Sequence, residues 1–547
     1  MLPLMAGTLS GCFGPDAQNL TTSGNTPVAS SVVTPMTPVP VATATPGPST
    51  PPAPIYPSCV SNLQGVTQNF NVLVFGNFTA PSSDVGGGLA AGGNVTIGGY
   101  SVGAELPLNP SRTDLVVGNN LVFNGGAVVN GSIAYGGTAS LQSATAAGTV
   151  TQSSPISFTS AQLELNAISQ SLAGLTPNMT AQIVYYSARA QITLNATNSV
   201  VNVFSISPTD LANTDMLTVN APAGSTVVIN SAGTNVSLSN FAMYLNGGVT
   251  GDHIFFNFPT ATSLNIQDIA VEGAVLAPLA ALNFPTGEVD GQVVASSANG
   301  SGQYNNIPFA GCLPVPSGLG FAKDSSIDST DGYTIGGTNY EMYGMAVRQI
   351  GDTIIVGLNS NFPLNGENED GVHIGWGDVV MNFSPNLASY TAAVENDLYA
   401  AHFVTNNNGA GVQTNGIYSN PVIEAVETSH AGWPTYGQYT SFVTQYGGVD
   451  GLGNVNPFTY FDANSPVPNE ILSGNLLSGT NFTMLGATDL TTLGIDFAAA
   501  FGIPANQLGS QSVGFAFRRP SGMTGNYVMH VAPECANDVM AIQYKLQ

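Results

Sequence analysis

Residues 70–99 read FNVLVFGNFTAPSSDVGGGLAAGGNVTIGG, and this stretch predicts the fold of the chain. It begins with the apolar run Val72–Phe75, breaks at Gly76, and continues in short strand-like fragments that end at glycine corners. Short strands separated by glycine are typical of a sheet that coils into successive turns. The pattern returns at residues 114–135 and 271–295, with no helix-period segment inside either block. We therefore predict a β-solenoid.

One segment inside this region departs from the strand pattern. Residues 158–175, FTSAQLELNAISQSLAGL, place four apolar residues on one face at helical spacing: Ala161, Leu165, Ile168 and Leu172. Thr159 or Ser160 is the predicted N-cap, and Gly174 lies near the end. A single amphipathic helix in a solenoid is expected to lie along its flank.

A second region follows residue 313 and contains more aromatic residues. Residues 340–358, 379–383 and 512–517 have the alternating or fully apolar patterns of strands, and residues 489–501 predict a short helix. The predicted fold class is therefore mainly β, with a right-handed β-solenoid and one flanking α-helix followed by a β-sandwich or jelly-roll-like domain.

The composition excludes one broad class of function. The chain has 547 residues, of which 7% are charged, and 7 Lys plus Arg face 32 Asp plus Glu, a net charge of −25. Such a surface repels phosphate backbones, so we expect no nucleic-acid partner. The polar surface must consist largely of uncharged side chains, which favours an extracellular protein.

The N-terminus predicts export and anchoring. Residues 1–12, MLPLMAGTLSGC, resemble a signal remnant that ends in a lipobox, which implies lipid attachment at Cys12 and a membrane partner through that lipid. The positively charged start of a typical signal is missing. Residues 13–58 are rich in Pro and Thr and predict a disordered, extended stalk. The predicted domains are then residues 59–313, the solenoid, and 314–547.

Cysteine placement agrees with an exported domain. Cys59 and Cys312 bracket the solenoid, and we predict that they form a disulfide that joins its entry and exit. Two unpaired thiols are the alternative. Cys535 is then either free or paired with another molecule.

Three parts of the solenoid sequence also carry a family resemblance. Residues 71–94, 220–230 and 271–308 resemble the choice-of-anchor A domain of bacterial surface proteins, described as an adhesive or collagen-binding domain. Residues 86–88 depart from that pattern, because glycine follows Val85 where an acidic residue is expected. The resemblance implies a surface protein with adhesive function and leaves the ligand open.

Two further resemblances are more local. Residues 340–345, 374–378 and 416–420 resemble the exosortase-dependent surface-protein domain whose members usually end in a PEP-CTERM tail, a tail that the last residues here do not match. The helix at residues 158–175, with residues 273–278, resembles bacterial ice-binding domains, which pair a right-handed β-helix with a flanking helix. Such domains need regular rows of Thr or small residues, and the sequence shows no sustained Thr-x-Thr row.

The densest polar cluster, NGENEDGVHIGWGD at residues 365–378, predicts a possible cation site. Four carboxylates on a glycine-bearing loop could bind Ca²⁺: Glu367, Glu369, Asp370 and Asp378. The alternative is a solvated acidic hairpin loop. A second acidic run, Asp324, Asp328 and Asp331, indicates calcium more weakly.

The sequence shows no pattern that favours a catalytic site. The sequence contains no HExxH and no G-x-S-x-G, and its histidines have no paired spacing. Glu288 and Asp290 could form the acid pair of a glycosidase, although two exposed carboxylates at the edge of a rung are the favoured interpretation. Trp376 and Trp433 could stack on sugars or be core residues.

These observations together predict a non-enzymatic cell-surface protein, an adhesin or a structural envelope component that binds matrix, glycan or a neighbouring cell. Its localisation is predicted as exported, on the cell surface or outer membrane or outside the cell. The alternatives are a carbohydrate-active β-helix enzyme and an ice- or polysaccharide-binding module.

Overall fold

The computed structural model describes residues 69–315, 317–369, 371–404, 411–430 and 432–547. All of them belong to one compact unit, Ala53–Gln547. Cys12, Cys59 and the predicted signal and stalk lie outside the described residues. Within the described ranges, no helix has the length and apolar character needed to cross a membrane.

The first region is built of parallel strands. They are β1 (Val72–Val74), β2 (Phe78–Ala80), β3 (Ser83–Val85), β4 (Leu89–Ala91), β5 (Val95–Val102), β6 (Thr113–Val117), β7 (Leu121–Val128), β8 (Ser132–Tyr135), β9 (Ala139–Ala146), β10 (Val150–Gln152), β11 (Gln182–Tyr186), β12 (Arg189–Asn195), β13 (Val201–Ser205), β14 (Thr214–Asn220), β15 (Thr226–Asn230), β16 (Asn235–Ser239), β17 (Ala242–Asn246), β18 (Ile254–Asn257), β19 (Ser263–Glu272), β20 (Ala274–Asp290), β21 (Val293–Asn299) and β22 (Gln303–Asn305). Two helices accompany them, α1 (Phe158–Ala173) and α2 (Pro208–Ala212). Strand pairing is parallel throughout, except between β11 and β12. The predicted solenoid-like coil of short strands is confirmed.

The order of the turns in space differs from their order in the chain. Strand β1 pairs with β4 on one side and with β21 on the other, so the described chain enters the stack in its middle. It proceeds outward through β4, β6, β8 and β10, and then passes into α1. After α1 the second half is built from β13 through β15, β18 and β20 to β21, which returns to β1. Residues far apart in sequence therefore become neighbours.

Helix α1 lies on the face made by these ten strands, which we call the covered face. Its four predicted apolar residues are all buried, and Gly174, expected near the end of the helix, is its C-cap. The N-cap prediction was wrong by two or three residues: Ser157 is the cap and its hydroxyl accepts from the Ser160 N–H. Ser160 is instead buried inside the helix.

Buried asparagines join α1 to the covered face. The Asn257 side-chain oxygen accepts from Ser169 Oγ at 2.6 Å, and its amide donates to Asn230 Oδ1 at 2.8 Å. Asn230 Nδ2 in turn donates to the Leu172 carbonyl at 2.8 Å. The side-chain groups of Ser169, Asn230 and Asn257 are thus all paired, as the cost of burying an unpaired amide requires.

The second region contains mostly antiparallel strands. They are β23 (Ser317–Lys323), β24 (Thr330–Asp331), β25 (Thr334–Ile335), β26 (Met342–Ile350), β27 (Thr353–Ser360), β28 (Glu367–Glu369), β29 (Val372–Ile374), β30 (Val379–Asn382), β31 (Leu398–His402), β32 (Gly416–Glu424), β33 (Glu470–Leu476), β34 (Thr483–Gly486), β35 (Gln511–Arg518), β36 (Gly525–Val531) and β37 (Met540–Leu546). The helices are α3 (Tyr436–Gln445), α4 (Pro457–Tyr460), α5 (Ala487–Thr492) and α6 (Phe497–Phe501). The single helix predicted at residues 489–501 is thus two, because Gly494 has φ +73° between them.

Two antiparallel sheets form the body of this region. One has the order β23-β26-β27-β35-β34 and the other β33-β32-β31-β30-β36-β37. Both contribute side chains to one hydrophobic cluster, for example Val356 from the first sheet and Met529 from the second. Strands predicted at residues 340–358, 379–383 and 512–517 are present, whereas the assignment to a sandwich or jelly roll stays a prediction.

The second region packs on the covered face through α1. A single hydrophobic cluster contains Leu73 of the solenoid, Leu165 of α1 and Ile355 of β27. A buried ion pair joins Glu164 of α1 to Arg348 of β26 at 2.7 Å. The covered face is therefore unavailable to an outside ligand, and a binding surface must be sought on the other faces.

Candidate binding face

Beside the covered face, which is the first stack of parallel strands in the solenoid, a second stack presents a continuous outward row of short side chains. Parallel registers across β16, β19, β20, β21, β2, β5, β7 and β9 align one residue from each strand. In spatial order the row is Ser237, Asn265, Asn283, Asn299, Thr79, Thr96, Val122 and Ser140. The first two are half-buried and the other six are exposed. Seven spacings of about 4.8 Å give a length of about 34 Å.

Alternation along each strand explains why this row faces outward. The neighbours of Thr96 in β5, Val95 and Ile97, are buried inside the solenoid. The same pattern holds in β2, where Thr79 lies between buried Phe78 and Ala80. Because side chains in a strand alternate between faces, the inward apolar residues fix the outward direction of the polar ones.

Asparagine ladders hold the rungs of this surface in register. Asn283 Nδ2 donates to Asn265 Oδ1 at 2.7 Å within the row. Along one edge, the side-chain oxygen of Asn77 accepts from the Asn94 N–H at 2.8 Å, and Asn94 Oδ1 accepts from the Asn120 N–H at 3.2 Å. Stacked amides of this kind align successive turns and keep the surface regular.

We call this row and its flanking outward residues the uncharged face. Beside the row, Asn235, Ser263, Ala281 and Ser297 align on one side. On the other side Asn124 aligns with Gln142. None of the residues in these aligned rows is Asp, Glu, Lys, Arg or His.

A third stack is formed by β3, β22 and the C-terminal ends of β5, β7, β9, β19 and β20. Part of it carries carboxylates, and we call that part the acidic face. Glu272, Asp290 and Asn305 align across β19, β20 and β22, with Glu288 two residues before Asp290. Burial, then the neighbouring Asp290 and Glu288 carboxylates, raises the pKa of Glu272. A shallow cavity of about 340 Å³ here is lined by Asp268, Glu288 and Gln303 among others. Glu288 and Asp290, the glycosidase candidates, are both half-buried, and that role stays a hypothesis.

The residues predicted to bind calcium are spread over the second region. Glu367 and Glu369 lie in the β28–β29 hairpin, and Glu369 accepts from the Tyr340 hydroxyl at 2.6 Å. Asp378 is buried and bonded to His402 Nδ1 at 2.8 Å. Asp370 lies outside the described residues. Calcium binding by these four residues stays a prediction. Among the described residues, the carboxylates close enough together to hold an ion are those of Asp324, Asp328 and Asp538.

The proposed sugar-stacking role of the tryptophans is wrong for Trp376. Its ring is fully buried and packs edge-on against Phe362 and Phe403. Trp433 is only partly buried and packs against Phe442. Trp376 is thus a core residue.

The described cysteines have different environments. Cys312 is half-buried, and its N–H donates to Thr226 Oγ1 at 2.6 Å. Because Cys59 lies outside the described residues, its pairing with Cys312 stays a prediction. Cys535 is free and buried, and burial raises the pKa of its thiol. A buried neutral thiol is a poor nucleophile.

The solenoid region matches one known family. Residues 63–306 match the family described as "Putative Ice-binding-like adhesive domain". The match covers fewer than half of the 547 residues, and it contains the whole uncharged face. It supports a surface adhesive domain, whereas the choice-of-anchor A and exosortase resemblances stay predictions. A comparison with curated proteins found no match.

Three solved structures are similar to part of the chain. An ice-binding protein from the Antarctic ascomycete Antarctomyces psychrotrophicus is 16% identical, with 45% of this chain and 97% of that chain covered and a TM-score of 0.27. One from an Antarctic biological consortium is 13% identical (46% and 93% covered, TM-score 0.27). An ice-binding protein domain from Shewanella frigidimarina is 16% identical (46% and 97% covered, TM-score 0.25).

Sequence reasoning missed the uncharged face. A Thr-x-Thr pattern lies within a single strand, whereas this row takes one residue from each of eight strands in an order that differs from the chain. The signal present in the sequence was the Ser, Asn and Thr residues that alternate with apolar residues within the strands. Reading it required the register between turns.

Proposed function

We propose that this chain is an exported, non-enzymatic adhesive protein whose uncharged face attaches to a solid, neutral polysaccharide. The eight-residue row of short uncharged side chains carries the proposal. The adhesive-domain match over residues 63–306 supports it.

The chemistry of the row fits a surface of hydroxyl groups. Ser, Thr and Asn offer both donors and acceptors, and short side chains allow close approach. Desolvation of a charged side chain would oppose contact with a neutral polymer, and the row contains no charged side chain. Each contact is weak, but a rigid array lets many act together.

The rest of the charge distribution favours a neutral target over an anionic one. With a net charge of −25, the protein repels nucleic acids and anionic polymers. The row itself contains no acidic residue, whereas Glu272, Glu288 and Asp290 lie together on the acidic face. As further parts of this proposal, a lipid at Cys12 tethers the protein to a membrane, residues 13–58 act as a stalk, and the Cys59–Cys312 disulfide joins the ends of the solenoid.

The test compares two substitutions of exposed solenoid threonines. Thr96→Lys places a charge in the middle of the row, and Thr145→Lys places the same charge on the third stack, where Thr145 aligns with Ala127. We expect Thr96→Lys to weaken binding to cellulose or chitin particles about tenfold or more, because burying an unpaired charge costs at least about 1.4 kcal/mol. Thr145→Lys should bind as the wild type does. Equal binding by both variants, or no binding by the wild type, would contradict the proposal.

Ice is a second candidate surface, favoured by the regular spacing and short side chains of the same row. It is distinguished by the partition of the wild-type protein into slowly growing ice and by inhibition of recrystallisation. The wild type would then enter ice without binding to polysaccharide, and Thr96→Lys would abolish the uptake into ice. That result would replace polysaccharide with ice as the target surface.

A further inference from the structure

Four buried carboxylates from distant parts of the chain meet in the second region. Asp324 and Asp328 follow β23, Glu341 precedes β26, and Asp538 precedes β37. Each of the four is at most 4% exposed. One oxygen from each of Asp324, Asp328 and Asp538 lies within 4.8 Å of the others. We call these four residues the carboxylate cluster.

Backbone groups position the cluster without neutralising it. The N–H groups that donate to its three aspartates include those of Gly453 (3.0 Å, to Asp324), Gly451 (2.6 Å, to Asp328), and Met342 and Val539 (each 2.7 Å, to Asp538). Glu341 Oε2 accepts from Ser329 Oγ at 2.7 Å. These bonds fix the carboxylates in place.

Three carboxylate oxygens of the cluster accept no hydrogen bond from an amide or hydroxyl donor among the described residues, Asp324 Oδ2, Asp328 Oδ1 and Glu341 Oε1, and the carboxyl groups of Asp328 and Glu341 face each other. All three are buried from solvent. Unpaired buried oxygens are costly and uncommon in native proteins, so their number at one place indicates a missing electropositive partner.

No cationic side chain of the described residues pairs with the cluster. Of the ion pairs among the described residues, none includes these four carboxylates. Burial and then the Asp324 carboxylate raise the pKa of Asp328 to about 10, and burial raises the pKa values of Asp324, Glu341 and Asp538 as well. The cluster must therefore be either protonated or neutralised by a bound ion.

We propose that Asp324, Asp328 and Asp538, with Glu341, bind one Ca²⁺ ion. Hard cations take several carboxylate and carbonyl oxygens, and Ca²⁺ accepts irregular arrangements of them. No imidazole or thiolate belongs to the group of close ligand atoms, which disfavours zinc and other softer metals.

Such an ion would connect both sheets of the second region. Strands β23 and β26, next to Asp324 and Glu341, belong to the five-stranded sheet, and β37, next to Asp538, belongs to the six-stranded sheet. Calcium is therefore expected to stabilise this region. The inference is independent of the proposed polysaccharide binding.

The experiment measures binding of Ca²⁺ to the full chain by calorimetry, and of Tb³⁺ by tyrosine-sensitised luminescence. Tyr439 is suitably placed, since its hydroxyl donates to the Asp328 carbonyl oxygen at 3.1 Å. We expect one ion per chain, and Asp328→Asn should raise the Kd about tenfold or more because a charged ligand is lost. Asp331→Asn, an exposed residue of the same acidic run, is the matched control and should bind as the wild type does.

A second measurement guards against loss of folding. Removing one of the four buried carboxyl groups should leave the chelated Asp328→Asn variant at least as stable to heat as the chelated wild type, while Ca²⁺ at a concentration near the wild-type Kd should raise the melting temperature of the wild type more than that of the variant. Unchanged Ca²⁺ binding by Asp328→Asn, or its loss in a Glu367→Gln/Glu369→Gln variant instead, would overturn the proposal. A wild type that neither binds Ca²⁺ nor gains stability from it would show a protonated cluster and overturn it as well.

Discussion

Replacing Arg348 with Met should destabilise the contact between the solenoid and the second region in a strongly pH-dependent way. Arg348 Nη2 lies 2.7 Å from Glu164 Oε1, and the Glu164 side chain is 2% exposed. Nη1 of the same guanidinium donates to the Leu493 carbonyl oxygen. Met keeps much of the side-chain volume, so the main change is loss of the positive charge.

The magnitude follows from the fate of Glu164. Burial raises its pKa from the ordinary 4.5, and Arg348 opposes that shift. Without Arg348 the buried carboxyl should take a proton, which at pH 7 costs about 3 kcal/mol at about 1.4 kcal/mol per pH unit. This agrees with the roughly 3–5 kcal/mol measured when buried pairs are broken.

The sign of the pH dependence is the strongest check. In the variant the folded pKa of Glu164 lies above the unfolded value, so the folded state binds more protons and its stability falls as pH rises. We expect a loss of about 3 kcal/mol at pH 7 and below about 1 kcal/mol at pH 5. Urea unfolding followed by tryptophan fluorescence at both pH values measures it.

The double variant Arg348→Met/Glu164→Leu is the control. It removes both charges and should recover most of the stability, because apolar replacements of a buried pair are often neutral. A single-variant loss below about 1 kcal/mol at pH 7, or a double variant as unstable as the single one, would refute this reasoning.

Three further outcomes are expected. Asn257→Ala should cost about 2–4 kcal/mol in urea unfolding, because it leaves buried partners of the α1 network unpaired; a loss below about 1 kcal/mol would contradict this. Gly126→Ala should cost more than Gly99→Ala, since both have positive φ but only the new Cβ at Gly126 would meet the Tyr100 carbonyl oxygen, at 1.9 Å; equal melting temperatures would argue against the close approach. Burial lowers the pKa of His530 from 6.5 to about 4, so its contribution to stability is lost as pH falls through that window, by about 3 kcal/mol. The test is the difference in free energy of unfolding between the wild type and His530→Gln, measured from pH 7 to pH 4. A difference that does not change with pH would disprove the prediction.

Local patterns predicted those elements whose determinants lie close together in the chain. Helix α1 was predicted because its apolar spacing and its C-cap occur within one short segment. Its N-cap was misplaced because a distant residue takes part in the cap: Asp489 Oδ1 accepts from Ser157 Oγ at 2.5 Å and from Ser160 Oγ at 2.7 Å. Propensity alone cannot anticipate such a contact.

The sequence by itself determined that short strands and glycine corners coil into a solenoid, that one helix lies on it, and that the protein is strongly acidic. Those properties depend on local periodicity and composition. Only the tertiary structure decided which residues form the uncharged face and the carboxylate cluster. Thr79 adjoins Asn299, and Asp538 meets Asp324, because the chain enters the solenoid in its middle and the last strand returns to the first strands of the second region. Register between distant segments, set by burial of the apolar faces, brings these residues together.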